Sequence, residues 1–253
     1  MNPLRSRQTG FSMVDLLVGM LLSLIGTVII FQVFQASENV KRTSTSGSDA
    51  QQNGAAALFA LERALKEAGY GINTNDASPI PVQITVNAAT VPDSIAVTYR
   101  RDWDFGPFNS SDPAFASAVP PALTVETFSV NNQAQLVSSV NGVLADGIVQ
   151  MKAEYGVDTT ATPDGIMDVW QTTLPANPLT VLAVRLAVVA RSAQPEKPAA
   201  NGACATSTVA PVWVGGSLSL VGNQALAGGD SWQCYRYKTF QLTVPLRNVL
   251  WGY

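Results

Sequence analysis

The side chain most in need of a chemical reason is Asp15. It is the only ionisable group in residues 10–36, GFSMVDLLVGMLLSLIGTVIIFQVFQA. An ionised aspartate near the middle of a bilayer helix costs about 2.5–3.5 kcal/mol on insertion scales. A membrane tether gains nothing from that cost. A carboxylate in such a place becomes tolerable when it is paired with a cation, so the chemistry to look for is ion pairing with an amine. The plainer reading is a single-pass anchor whose Asp15 rests in the headgroup zone at little cost.

Other reactive groupings are few. The sequence contains no histidine, which removes the commonest general base and the commonest metal ligand. Neither a nucleophile elbow nor a glycine-rich phosphate loop after a strand occurs. The sequence therefore predicts no enzyme and no cofactor. Residues 158–168, DTTATPDGIMD, place Asp158, Asp164 and Asp168 at loop spacing. Calcium takes six to eight oxygens, and these carboxylates with nearby carbonyls form a weak candidate for it. The segment departs from the EF-hand pattern in the position of its glycine and the lack of a closing glutamate. The expectation is no metal, and a turn between two strands with Asp164-Gly165 at its tip. The two cysteines, Cys204 and Cys234, read as one disulfide in an exported domain. The net charge of −3 provides no general attraction to nucleic acid.

The elements that would hold these groups are set by the apolar pattern. A hydrocarbon core about 30 Å thick needs about 20 apolar helical residues, and residues 11–34 supply them. Arg5 and Arg7 precede the run, which places that side in the cytoplasm and the bulk of the chain across the membrane. A secretory signal carries its small-residue cleavage site after the apolar core; here the small residue, Gly10, comes before it. A cut after Gly10 would discard the basic leader, keep the helix and leave a new amine at Phe11, four residues from Asp15. Beyond Ala36 the chain turns polar, and then Leu58, Leu61 and Leu65, with Phe59 and Ala68, recur at helical spacing to form a seam that docks the helix on a domain. Glu62 and Lys66 make an i,i+4 pair, and Gly69-Tyr70-Gly71 ends the helix. A bend or melted turn is expected at residues 43–48 and at Asn53-Gly54.

From residue 79 the period becomes two. Strands are expected at 82–86, 94–99, 147–157 and 233–246, and a hairpin joins 123–130 to 134–140 through Asn131-Asn132-Gln133. Residues 179–191 read as a buried strand, with helix as the alternative. Residues 100–122 read as a long loop of the kind that is functional or mobile. Strands without interleaved helices imply antiparallel sheet, so the fold class is α+β. The implied organisation is a leader at 1–10, a transmembrane and assembly helix at 11–36, its periplasmic half at 37–71 and a β-rich periplasmic domain at 72–253.

Gly10-Phe11-Ser12-Met13-Val14-Asp15-Leu16-Leu17 resembles the cleavage and methylation motif of type IV pilins and type II secretion pseudopilins, with Asp15 where that family carries glutamate. The resemblance implies that a prepilin peptidase cuts between Gly10 and Phe11 and N-methylates Phe11. It also implies that Asp15 neutralises a Phe11 amine in the assembling filament. Gln52-Asn53-Gly54, Ala57-Leu58, Leu61-Glu62 and Ala68-Gly69-Tyr70 are similar to the helix of the PilW family of minor pilins. Near the C-terminal end, Val184-Arg185-Leu186, Val189-Ala190-Arg191-Ser192, Tyr235-Arg236-Tyr237-Lys238 and Val244-Pro245-Leu246-Arg247-Asn248 resemble its close. This likeness implies a pilin-like fold and an inner-membrane minor pilin that helps prime pilus assembly near the tip. Its implied partners are other minor pilins, the major pilin, the prepilin peptidase, the inner-membrane assembly platform and a tip adhesin. Two other readings stand beside it: a J-type pseudopilin of a type II secretion system, and a membrane-anchored periplasmic binding domain.

Overall fold

The computed structural model describes residues 12–72, 80–100, 123–196, 198, 201–220 and 231–250. Its contacts divide the chain into two units, Met1–Thr45 and Ser46–Tyr253. The first helix, α1, is assigned over Met13–Glu67. Ser12 starts it: its hydroxyl accepts the Val14 N–H at 3.3 Å, and its carbonyl accepts the N–H groups of Asp15 and Leu16, the geometry of a serine N-cap. Gly69, in the left-handed region at φ 78°, ends it as the sequence anticipates. The expected interruption at 43–48 is not there, and the helix runs through it. The Thr45 hydroxyl is absorbed by donating to the Lys41 carbonyl at 2.9 Å, which lets a poor helix former sit in the ladder.

Asn53-Gly54 does not break the helix either, and the glycine has a packing role. In the second unit, a Cβ at Gly54 would lie 2.0 Å from the Phe240 ring, so the missing side chain is the seat of that ring. The buried face of this part of α1 is Ala50, Ala57, Leu61, Ala64, Leu65 and Ala68, at the three- and four-residue spacing of one helix stripe. Phe59 is not part of it. That side chain is 68% exposed, because it sits two residues before Leu61 and so on another face of the helix.

The core facing this stripe comes from two sheets. The first is a five-stranded antiparallel meander of β1 (Val82–Thr85), β2 (Ser94–Tyr99), β3 (Thr124–Val130), β4 (Gln135–Ser138) and β5 (Gly142–Asp146). Ile95, Val97, Tyr99, Phe128 and Leu136 line its inner face. The β3–β4 turn forms as expected: the Asn131 side-chain oxygen accepts the N–H groups of Gln133 and Gln135. The strand anticipated at 134–140 ends at Ser138, and a further strand, β5, comes at once after it. The signal for that turn is Asn141-Gly142, with Gly142 at φ 74°. The long loop expected at 100–122 lies outside the described residues, apart from Arg100.

The second sheet contains β6 (Ile148–Val157), β7 (Val169–Gln171) and β8 (Val181–Arg191). A two-residue ribbon, β9 (Val212–Trp213) and β10 (Gly216–Ser217), precedes β11 (Tyr237–Pro245), and a single helical turn, α2 (Arg247–Leu250), succeeds it. The order is β11-β8-β6-β7, all antiparallel. β8 is buried on both faces. Val184, Leu186, Val188 and Ala190 join the main core, while Ala187 and Val189 form a second cluster with Ala134, Val149, Leu218 and Leu220. Two buried faces explain the unbroken valine run, which periodicity alone leaves open between strand and helix. The last strand begins at Tyr237 rather than at 233, because Trp232–Cys234 forms a 3-10 turn capped by Ser231.

Polar clamps tie these layers together. Lys152 on β6 reaches the carbonyls of Asn87, Ala88 and Val91 at 2.9–3.1 Å and pairs with buried Asp93 at 2.7 Å, fixing the β1–β2 connection over β6. On the outer side, the Arg185 guanidinium stacks between Trp170 at 4.7 Å and Trp213 at 5.6 Å and binds Glu154. One cation thus holds β7 and the β9–β10 ribbon to the sheet.

Candidate assembly site

The candidate site begins at the first turn of α1. Asp15 is exposed there, where the unpaired N–H groups of a helix start favour a negative charge. Gly10 and Phe11, the residues of the expected cut and of the amine, lie outside the described residues, so the structure places one partner of the anticipated ion pair. Over Met13–Glu38 the helix is long and apolar enough to cross a membrane, and none of that span is buried within the chain. Leu16, Leu17, Leu21, Leu24, Ile29, Phe31 and Phe34 are each more than half exposed. Apolar surface on this scale marks contact with lipid or with other proteins.

One face of this helix differs from the rest. Ser12, Asp15, Gly19, Ser23 and Gly26 succeed one another at three- and four-residue steps, which aligns them along the helix. The Ser23 hydroxyl donates to the Gly19 carbonyl at 2.7 Å, and the Thr27 hydroxyl to the Ser23 carbonyl at 2.8 Å. The face is therefore narrow in section, with its hydroxyls already satisfied. Among the described residues a Cβ at Gly19 or Gly26 would meet nothing within 4 Å, so their packing requires neither glycine, although each costs a helix about 1 kcal/mol relative to alanine. Sequence reasoning singles out Asp15 and misses these small residues; their spacing within the apolar run is the signal that would find them.

Cys204 and Cys234 are joined, with their Cα atoms 4.8 Å apart and a separation of 30 positions in sequence. The bond anchors the segment around Cys204 to the turn that launches β11. The Glu196 N–H donating to the Cys234 carbonyl at 2.7 Å, and the Ser207 N–H donating to the Gln233 carbonyl at 3.1 Å, fasten the same region.

The three aspartates of the 158–168 loop are each committed locally. Asp158 is buried and accepts from the Thr160 hydroxyl and from the N–H groups of Thr160, Asp164 and Gly165. These donors, the Thr160 hydroxyl foremost, hold its carboxyl below the usual carboxylate range. Asp168 accepts from the N–H and hydroxyl of Thr159, and Asp164 from the Ile166 N–H. Among the described residues no set of three or more acids, histidines or cysteines converges as metal ligands would. The segment is the turn between β6 and β7, with Gly165 at φ 76°.

An apolar N-terminal helix leading into an antiparallel sheet domain is the α+β architecture of a pilin-like protein. The family model of Type IV Pilus-assembly protein W (PilW) matches residues 114–248, more than half of the chain, and the protein belongs to that family. A solved structure, the type IV-like pilin TTHA1219 from Thermus thermophilus, is similar at a TM-score of 0.43 and 14% identity, over 76% of this chain and 93% of that one. No curated protein matches the sequence.

Proposed function

We propose that the chain is a type IV pilus minor pilin which a prepilin peptidase cuts between Gly10 and Phe11 and methylates at Phe11. In this reading it sits in the inner membrane by one helix, with its C-terminal domain in the periplasm, and helps prime pilus assembly near the tip. Residues 1–10 are the leader, 11–36 the assembly helix, 37–71 its periplasmic half and 72–253 the globular part. The observation that carries the reading is the small-residue face of α1: a lone carboxylate in line with two glycines that the packing of the described residues does not need, on a span with no buried residue among them.

Small residues let membrane helices approach closely, and van der Waals contact then drives their association. In the bilayer the helix is stored as an anchor. On extraction, the Gly19–Ser23–Gly26 face receives a neighbouring helix, and Asp15 meets a Phe11 amine. Pairing removes two uncompensated charges from an apolar filament core. The aspartate is one methylene shorter than glutamate, and close approach at Gly19 offsets the shorter reach. The globular domain positions the subunit among other minor pilins, the major pilin and the assembly platform, with a tip adhesin as a further partner. The family match favours a pilus over a secretion pseudopilin. The proposal assigns no catalysis and no metal.

Asp15→Asn keeps size and loses charge, so it is expected to leave membrane insertion intact and to reduce piliation of the producing cell. Full piliation in a strain whose only copy of this chain carries Asp15→Asn, where deletion of the chain abolishes piliation, would overturn the pairing.

A further inference from the structure

The side of the second sheet turned away from the main core carries apolar surface that the chain holds in the open. β6 sends Met151, Ala153 and Tyr155 into the core, so alternation puts Glu154 and Gly156 on the opposite face. Two glycines seat two rings there. A Cβ at Gly156 would lie 2.8 Å from the Trp170 ring and 3.1 Å from Met167 Cγ, and one at Gly215 would lie 2.3 Å from the Trp213 ring. Trp213 turns toward Arg185, so its neighbours Val212 and Val214 turn away from the sheet; they are 62% and 70% exposed. In the turn between β6 and β7, acids brace the backbone. Asp158 accepts the N–H groups of Asp164 and Gly165, and Asp168 accepts that of Thr159. Ile166 and Met167 stand on this braced loop, Ile166 at 64% exposure. Single apolar side chains on a surface need no reason. Here several gather at the two ends of one Trp170–Arg185–Trp213 stack, on elements already fixed in place, and preorganised surface of this kind favours binding.

We propose that this surface docks a different protein, one that offers an apolar pocket rimmed by lysine or arginine. The charge around the stack selects that chemistry. Residues 153–184 contain four acids, Glu154, Asp158, Asp164 and Asp168, and no lysine or arginine, and residues 201–220 contain no charged residue. Arg185, next in line, is engaged by Glu154 and the two rings. The surface therefore shows a partner apolar side chains and the exposed carboxylates of Asp164 and Asp168. Tryptophan and arginine at the centre of such a patch are the side chains that dominate interface energies. Complementary charge speeds encounter, and like charge rejects wrong partners. An anionic bilayer, which attracts basic segments, is one such rejected partner. The same face of a second copy is another, because a two-fold contact would bring two acid-flanked surfaces together. The α1 stripe joins the main core on the other side of the sheet, so a partner seated here places no demand on the direction of that helix.

The test uses the full chain in its producing cells, with the photo-crosslinker p-benzoylphenylalanine in place of Ile166, of Val212 or, as a control on the other sheet, of Gln83. Irradiation is expected to join positions 166 and 212 to the same protein and to leave position 83 without that adduct. The cross-linked peptide, read by mass spectrometry, is expected to carry lysine or arginine beside apolar residues. Ile166→Ser is an ordinary surface change, and Asp168→Asn keeps an oxygen for Thr159 while losing the charge. Each is expected to reduce the adduct from position 212 by about fivefold or more, the loss of an interface anchor, with the amount of disulfide-bonded chain in the membrane unchanged. High salt, which screens exposed charges, is expected to lower the adduct in isolated membranes. Four results would overturn the proposal: no more adduct from position 166 than from position 83, an adduct with phospholipid or with a second copy of this chain, a cross-linked peptide whose charges are acidic, or an adduct that Ile166→Ser and Asp168→Asn leave unchanged. None of these depends on cleavage at Gly10, so this proposal and the pilin reading fail separately.

Discussion

Replacing Gly54 by alanine opposes two effects that can be sized in advance. Helix propensity favours the change by about 1 kcal/mol. The structure opposes it: the new Cβ would stand 2.0, 2.4 and 2.8 Å from three atoms of the Phe240 ring. The ring is partly buried against the main core and has to leave its seat. Overpacking costs about 1–3 kcal/mol, and three such close contacts put this case near the upper end. The expected net loss is about 2 kcal/mol, or roughly 4–8 °C in Tm for a domain of this size. With Phe240→Ala already in place the obstacle is gone, and the same Gly54→Ala change should stabilise by about 1 kcal/mol. Thermal unfolding of the four proteins of this cycle in dilute detergent solution, monitored by near-ultraviolet circular dichroism, measures the coupling. Equal effects of Gly54→Ala in both backgrounds would refute the account, since additivity is the mark of residues that do not touch.

Three further outcomes are expected. Cys204→Ser should destabilise the domain by about 3–4 kcal/mol, the chain-entropy value for a closed loop of this length, read as a lower Tm; identical melting of the wild type with and without reductant would contradict it. Asp158 titrates low in the folded state, so its contribution is complete above its unfolded pKa, near 4, and fades as pH falls through the folded value. Denaturant titrations between pH 2 and 6 should show a shallower acid loss of stability in Asp158→Asn than in wild type; parallel slopes would remove its role as the organiser of the loop. Leu61→Ala should cost about 2–5 kcal/mol as a cavity in the core, while Phe59→Ser should change stability by less than about 0.5 kcal/mol, as for an ordinary surface site; comparable losses at both positions would restore Phe59 to the docked face.

Much of the fold is legible in the sequence because long periodic signals carry it. The apolar run, the Leu61–Leu65 seam, the Gly69 stop and the alternation in β1, β2, β3 and β6 all state their partners locally. The departures share a cause. Hydrophobicity alone puts Phe59 on the docked seam, where its angular position decides otherwise. Propensity alone makes Asn53-Gly54 a breaker, although the ring that makes glycine necessary comes from Phe240, far along the chain. β5, β7 and the β9–β10 ribbon are too short for periodicity, and tertiary anchors such as Trp170 and Trp213 on Arg185 hold the latter two. The disulfide is readable because two cysteines allow a single pairing. At the N-terminal apolar helix the charged residue draws attention while the small ones do not: a missing side chain has no hydropathy, and its meaning appears only once the helix shows that nothing among the described residues fills the space.

The measurement closest to the central claim is the intact mass of the protein recovered from membranes of cells with and without the prepilin peptidase. The account predicts a chain beginning at Phe11 and heavier by one methyl group when the peptidase is present, and an uncut chain when it is absent. A chain still beginning at Met1 or Asn2 in the presence of the enzyme would contradict it and return residues 10–36 to a simple tether.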